Sequence, residues 1–121
     1  MLPTLGGASA ATDVNERGQI VGWSLTRDGK YHAVLWEGGK IHQLDRRFTE
    51  ASAINDAGVI VGACGDSACV WEAGRLTNLG KVVSSAFAVD INNSRTIVGN
   101  IHDSVGGPCC YSAYLWTFES S

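Results

Sequence analysis

Four cysteines, three histidines and two Asp-x-Asn pairs are the residues in this chain whose types and spacing could do chemistry. Cys64 and Cys69 bracket Gly-Asp-Ser-Ala and so flank a tight hairpin, where they could pair as a disulfide in an oxidising compartment. The competing reading makes Cys69 a small packing residue, because Val34 and Tyr114 hold the equivalent places. Cys109 and Cys110 are adjacent, and free thiols are expected there in preference to a strained vicinal bond. With His102 these cysteines fit a structural zinc site only loosely, so no metal and no other cofactor is expected. Asp13-x-Asn15 and Asp90-x-Asn92 look like the opening of a calcium loop. No closing Glu follows, Arg17 stands in the fifth ligand place and Ala53 replaces the Asp between them, so hydrogen bonding to turns and strand ends is expected instead. His32, His42 and His102 occupy unrelated places, and neither a nucleophile–His order nor a carboxylate pair stands out. No catalytic residue is assigned, and an enzyme, a hydrolase or lyase, is the less favoured class.

These residues sit on a repeat. Ala11-Thr-Asp-Val-Asn-Glu-Arg-Gly-Gln-Ile-Val-Gly22, Ala51-Ser-Ala-Ile-Asn-Asp-Ala-Gly-Val-Ile-Val-Gly62 and Ala88-Val-Asp-Ile-Asn-Asn-Ser-Arg-Thr-Ile-Val-Gly99 align without gaps. Each is followed by Ala-x-(Leu/Val)-Trp, ending at Trp36, Trp71 and Trp116, and the first two then by Gly-x-(Ile/Leu)-x-x-Leu. Leu2-Pro-Thr-Leu5-Gly6 matches Leu76-Thr-Asn-Leu79-Gly80, the piece missing from the third copy. Asn-x-x-Gly predicts a turn between the first two strands of each unit, because Asn bonds the backbone ahead and Gly accepts the left-handed conformation. Arg95 replaces that Gly in unit 3, where strain or a different shape is expected.

The 121 residues therefore read as one all-β domain of three four-stranded meander repeats, about 7–44, 45–80 and 81–121 plus 1–6. Glycine at 15 residues and the lack of long helix-forming runs agree with short strands and tight turns. Propeller-like blades, with the N-terminal strand closing the last blade of its own chain or of a partner copy, are the expected architecture; a β-trefoil-like pseudo-threefold domain is the alternative. Propellers have roughly four to eight blades, so a homodimer forming a six-bladed ring is expected.

Leu5-Gly-Gly-x-Ser9, Asp13-Val-Asn-x-x-Gly-Gln-Ile-Val-Gly22 and His32-Ala-Val-Leu-Trp36 resemble the HAF repeat, across essentially the whole chain. The resemblance implies a bacterial repeat protein, β-propeller-like and extracellular or periplasmic, and brings no catalytic residues. The N-terminus has no basic segment followed by an apolar stretch, so no signal peptide is read in it; without the resemblance a cytoplasmic location is expected.

The formal charge of −3 is mild and unclustered, which argues against nucleic-acid and membrane-surface partners, and no apolar run nears the roughly 20 residues that span a bilayer. A non-catalytic module binding a small molecule, glycan or peptide is expected; a structural, self-assembling repeat protein is the second reading. Binding usually resides in variable loops on a repeated scaffold, here about 24–31, 63–67 and 100–112, with the links between units on the same face. Trp36, Trp71 and Trp116 recur and read as packing. Trp23 does not, since Ala63 and Asn100 hold its place. The ligand-binding candidates are thus Trp23, Tyr31, His32, Arg46, Arg47, His102, Asp103 and Tyr111.

Overall fold

A computed structural model describes the backbone of residues 1–80, 85–102 and 111–117, and side chains within 1–79 and 88–100 and of Leu115. Residues 103–110, with Asp103, Cys109 and Cys110, lie outside the described residues. The described chain is entirely strand, turn and irregular segment. The first sheet runs β1 (Gly6–Val14), β2 (Ile20–Thr26), β3 (Tyr31–Glu37), β4 (Lys40–Gln43), and the second β5 (Glu50–Ile54), β6 (Ile60–Cys64), β7 (Ser67–Glu72), β8 (Arg75–Gly80). The third holds β9 (Ser85–Ile91), β10 (Thr96–His102) and β11 (Tyr111–Thr117). Every pairing is antiparallel between chain neighbours, so each unit is a meander.

One expectation is corrected. Leu2–Leu5 does not complete the third sheet within the chain, which ends on β11 with three strands among the described residues. That segment bonds instead to the first sheet: Trp36 Nε1 donates to the Pro3 carbonyl at 2.8 Å, and Leu5 N–H donates to Ser24 Oγ at 2.9 Å. The reason is local, because Trp36 needs an acceptor for its buried indole N–H and Pro3 offers a carbonyl beside it. Among the described residues no strand pair joins one unit to another, and the strands form three separate sheets.

The sheets stack instead. β5 packs on β1, β2 and β3, and β9 packs on β5, β6 and β7. At the first seam Val21 and Ala33 of one sheet meet Phe48, Ala51, Ile54, Ile60 and Cys69 of the next unit, all buried. At the second, Val61, Ala68 and Val70 meet Ala88, Ile91 and Ile97, again all buried. Equivalent residues thus build both seams, and one face of each sheet receives the opposite face of its successor.

Two backbone requirements explain repeated residues. A Cβ on Gly22 would lie 1.9 Å from the Ala10 carbonyl oxygen, and one on Gly62 1.9 Å from that of Glu50. Both contacts fall where the β1–β2 and β5–β6 registers shift, at Ala11/Asp13 and Ala51/Ala53, so the bulge brings a neighbouring backbone too close for any side chain. In the Asn-x-x-Gly turns, Gly18 and Gly58 have φ of +79° and +86°, and Arg95 adopts +66° at the same place. The third turn keeps its shape despite the substitution: Arg95 N–H donates to the Asn92 carbonyl at 3.2 Å, as Gly18 N–H does to Asn15 at 3.1 Å.

Candidate functional site

Side chains alternate between the faces of a strand. Trp23 therefore shares a face of β2 with Val21, and Tyr31 a face of β3 with Ala33 and Leu35, the face that packs on the second sheet. The two rings meet edge to face, with centroids 5.1 Å apart and planes inclined by 62°. Tyr31 is 48% exposed and Trp23 partly buried, so the pair presents aromatic surface at the loop end of the first seam. The link carrying Arg46 and Arg47 crosses the same seam: Ala33, the register partner of Trp23, donates its N–H to the Phe48 carbonyl at 2.8 Å.

The two arginines differ. Arg47 forks onto Asp45, Nε to Oδ1 at 2.9 Å and NH2 to Oδ2 at 2.7 Å, and its own N–H donates to Oδ1. These bonds hold the Asp45 carboxyl well below the usual carboxylate range. Arg47 is thus committed to shaping the link, while Arg46 is exposed beside it.

His32 departs from the group. It lies on the opposite face of β3, where Nδ1 meets Gln43 Nε2 at 3.2 Å. His102 and Tyr111 are register partners across the β10–β11 hairpin, at the equivalent end of the third sheet; Asp103 is outside the described residues. At the matching end of the second sheet, Cys64 and Cys69 are joined by a disulfide with Cα atoms 5.9 Å apart. No group of three or more His, Cys, Asp or Glu able to hold a metal ion occurs among the described residues.

The residue type that sequence reasoning undervalued is the repeated asparagine. Asn15 Oδ1 accepts from the N–H groups of Arg17 and Gln19, Asn55 Oδ1 from Ala57 and Val59, and Asn92 Oδ1 from Ser94 and Thr96. That is the expected turn role. The amide nitrogen does something further: Asn15 Nδ2 donates to the Asn55 carbonyl at 3.0 Å, and Asn55 Nδ2 to the Asn92 carbonyl at 3.1 Å. A second bond runs beside each, from Glu16 N–H to Asp56 Oδ1 and from Asp56 N–H to Asn93 Oδ1. The recurrence of a polar side chain after each Asn was the available signal. Asp13 joins the first seam as well, its Oδ2 accepting from Ile54 N–H at 2.9 Å while Oδ1 accepts from Val14 N–H.

No protein-family model, no curated protein and no solved structure matches the chain. The HAF-type resemblance rests on the motif residues alone.

Proposed function

We propose that the chain is a non-catalytic binding module of three propeller-type blades, which takes a small molecule, glycan or peptide at the loop end of the first seam. The observation that carries this reading is the Trp23–Tyr31 pair. It interrupts the repeat, breaks the regular packing role of the other tryptophans, and leaves an exposed ring at the mouth of a seam. Aromatic side chains offer a large, rigid contact surface with a polar edge, and Arg46 on the adjoining link supplies a charged donor. A ligand with one flat apolar face and hydroxyl or carbonyl groups at its rim suits this combination.

The experiment is a thermal-shift and tryptophan-fluorescence titration with oligosaccharides, small metabolites and short peptides, on the parent chain and on Trp23→Ala and Tyr31→Ala. A ligand that raises the melting temperature of the parent and of neither variant supports the reading. Binding that survives both substitutions places the site elsewhere.

A further inference from the structure

The two seams inside the chain are copies of one interface, and its two halves recur, uncovered, at the two ends of the stack. The receiving face of the third sheet carries Val98 and Leu115, which are 45% and 61% exposed, whereas their equivalents Val61 and Val70 are fully buried by the third sheet. At the other end, Val14 is 57% exposed and Ala11 is exposed, whereas their equivalents Ile54 and Ala51 are buried by the first sheet.

The polar parts of the interface end in the same way. Asn92 is exposed, and among the described residues no acceptor meets its Nδ2, the atom through which Asn15 and Asn55 each reach the next unit. Asp90, Ile91, Asn92, Thr96 and Val98 line a shallow depression on this face. The Asn15 carbonyl accepts only from its own turn, at Gly18 N–H, among the described residues, whereas the Asn55 and Asn92 carbonyls each also accept from the preceding unit. The N-terminal segment is placed consistently with this, because Trp36 holds Pro3 beside the uncovered first sheet, and β11 is an outer strand with no fourth strand among the described residues.

We propose that the occupant of the third sheet's open face is the first sheet of a second copy of this chain, docked head to tail by the same contacts that build the internal seams. Asn92 Nδ2 then donates to the second copy's Asn15 carbonyl, Asn93 N–H to its Glu16 carboxylate, and Val98 and Leu115 cover its Ala11 and Val14. By the equivalence of Leu2–Leu5 with Leu76–Leu79, the second copy's N-terminal segment becomes the fourth strand beside β11, a place on a sheet edge where Pro3 is tolerated. A head-to-tail contact closes only if its rotation returns to the start. Two copies make six sheets, within the range of closed propellers, so the assembly is a two-copy ring.

The solution mass tests this, and needs no ligand at the Trp23 seam. Light scattering on the 121-residue chain is expected to give twice 12.8 kDa. Leu115→Arg and Val14→Lys, both at residues exposed in the single chain, are each expected to give a monomer with unchanged circular dichroism. Mixed together, the two variants retain one intact junction between them and are expected to form a heterodimer. A face that paired with its own copy would instead lose assembly with only one of the substitutions and gain nothing on mixing. A monomeric parent, a parent dimer indifferent to Leu115→Arg, assemblies that grow beyond two copies, or variants that do not recombine would each overturn the proposal.

Discussion

The Asn55 side-chain amide donates to the Asn92 carbonyl 37 residues away while its oxygen accepts from Ala57 and Val59 within its own turn. One residue thus sets a turn and ties two sheets. Asn55 is buried, and a hydrogen bond of this kind contributes about 1 kcal/mol, so Asn55→Ala is expected to cost roughly 3 kcal/mol for the three bonds lost. Asn55→Asp separates the two roles. It keeps the acceptor for the turn and sets a carboxylate oxygen against the Asn92 carbonyl. Its melting temperature is expected to fall at neutral pH and to recover toward the parent below about pH 4, where a protonated carboxyl can donate again. A pH-independent deficit would mean the bond between sheets contributes little.

The glycines of Ile-Val-Gly and of Asn-x-x-Gly serve different ends, and substitution tells them apart. Gly62→Ala drives a methyl onto the Glu50 carbonyl, a backbone atom that cannot swing aside. A cost of about 3 kcal/mol or more is expected, at the upper end of overpacking effects. Gly18→Ala meets open space, and only its φ of +79° opposes it, for which about 1 kcal/mol is expected. Chemical denaturation of the two variants checks the order, and equal costs would refute the close approach as the reason for the repeated glycine.

Much of this was legible in the residues. The meander and the Asn-x-x-Gly turns follow from local chemistry, so matching residues sufficed to anticipate antiparallel sheets of neighbouring strands, of which the described residues show eleven where twelve were expected. What matched residues could not show is direction in space. Leu2–Leu5 matches an outer strand, yet within the chain it pairs with no described strand and the Trp36 indole captures it. His32 and Tyr31 are adjacent in sequence, and strand alternation sends them to opposite faces, which divides the candidate site. Turn chemistry accounted for the oxygen of each asparagine, and the nitrogen acquires its role only when sheets stack.

The Cys64–Cys69 disulfide closes a loop with a sequence separation of 5. By loop-closure entropy, so short a loop stabilises by about 2 kcal/mol. Neither of the other described hairpins has a cysteine at the matching places. Reduction, or Cys64→Ser, is therefore expected to lower the unfolding free energy by about that amount while leaving a cooperative, all-β fold. Free-thiol titration of the folded protein before and after reduction should differ by two groups. Loss of cooperative unfolding on reduction would show that the bridge carries the fold.

Arg95 takes a left-handed conformation that glycine takes in the other two units, and its guanidinium forks onto Glu72 of the second sheet. This hydrogen-bonded pair holds the Glu72 carboxyl below its ordinary value of 4.5. A carboxyl with a depressed pKa in the folded state contributes stability that is present above its unfolded pKa and is lost as pH falls through the folded value. The parent is accordingly expected to exceed Glu72→Gln in melting temperature at neutral pH. The gap should narrow as pH drops below about 4.5. Arg95→Gly relieves the backbone conformation and removes the pair at once, so the coupling between the two substitutions, and not the single variant, isolates the pair. A double-mutant cycle measured at neutral pH and again in acid reads both effects, and a coupling that did not change with pH would exclude the ion pair as the reason an arginine stands where a glycine fits.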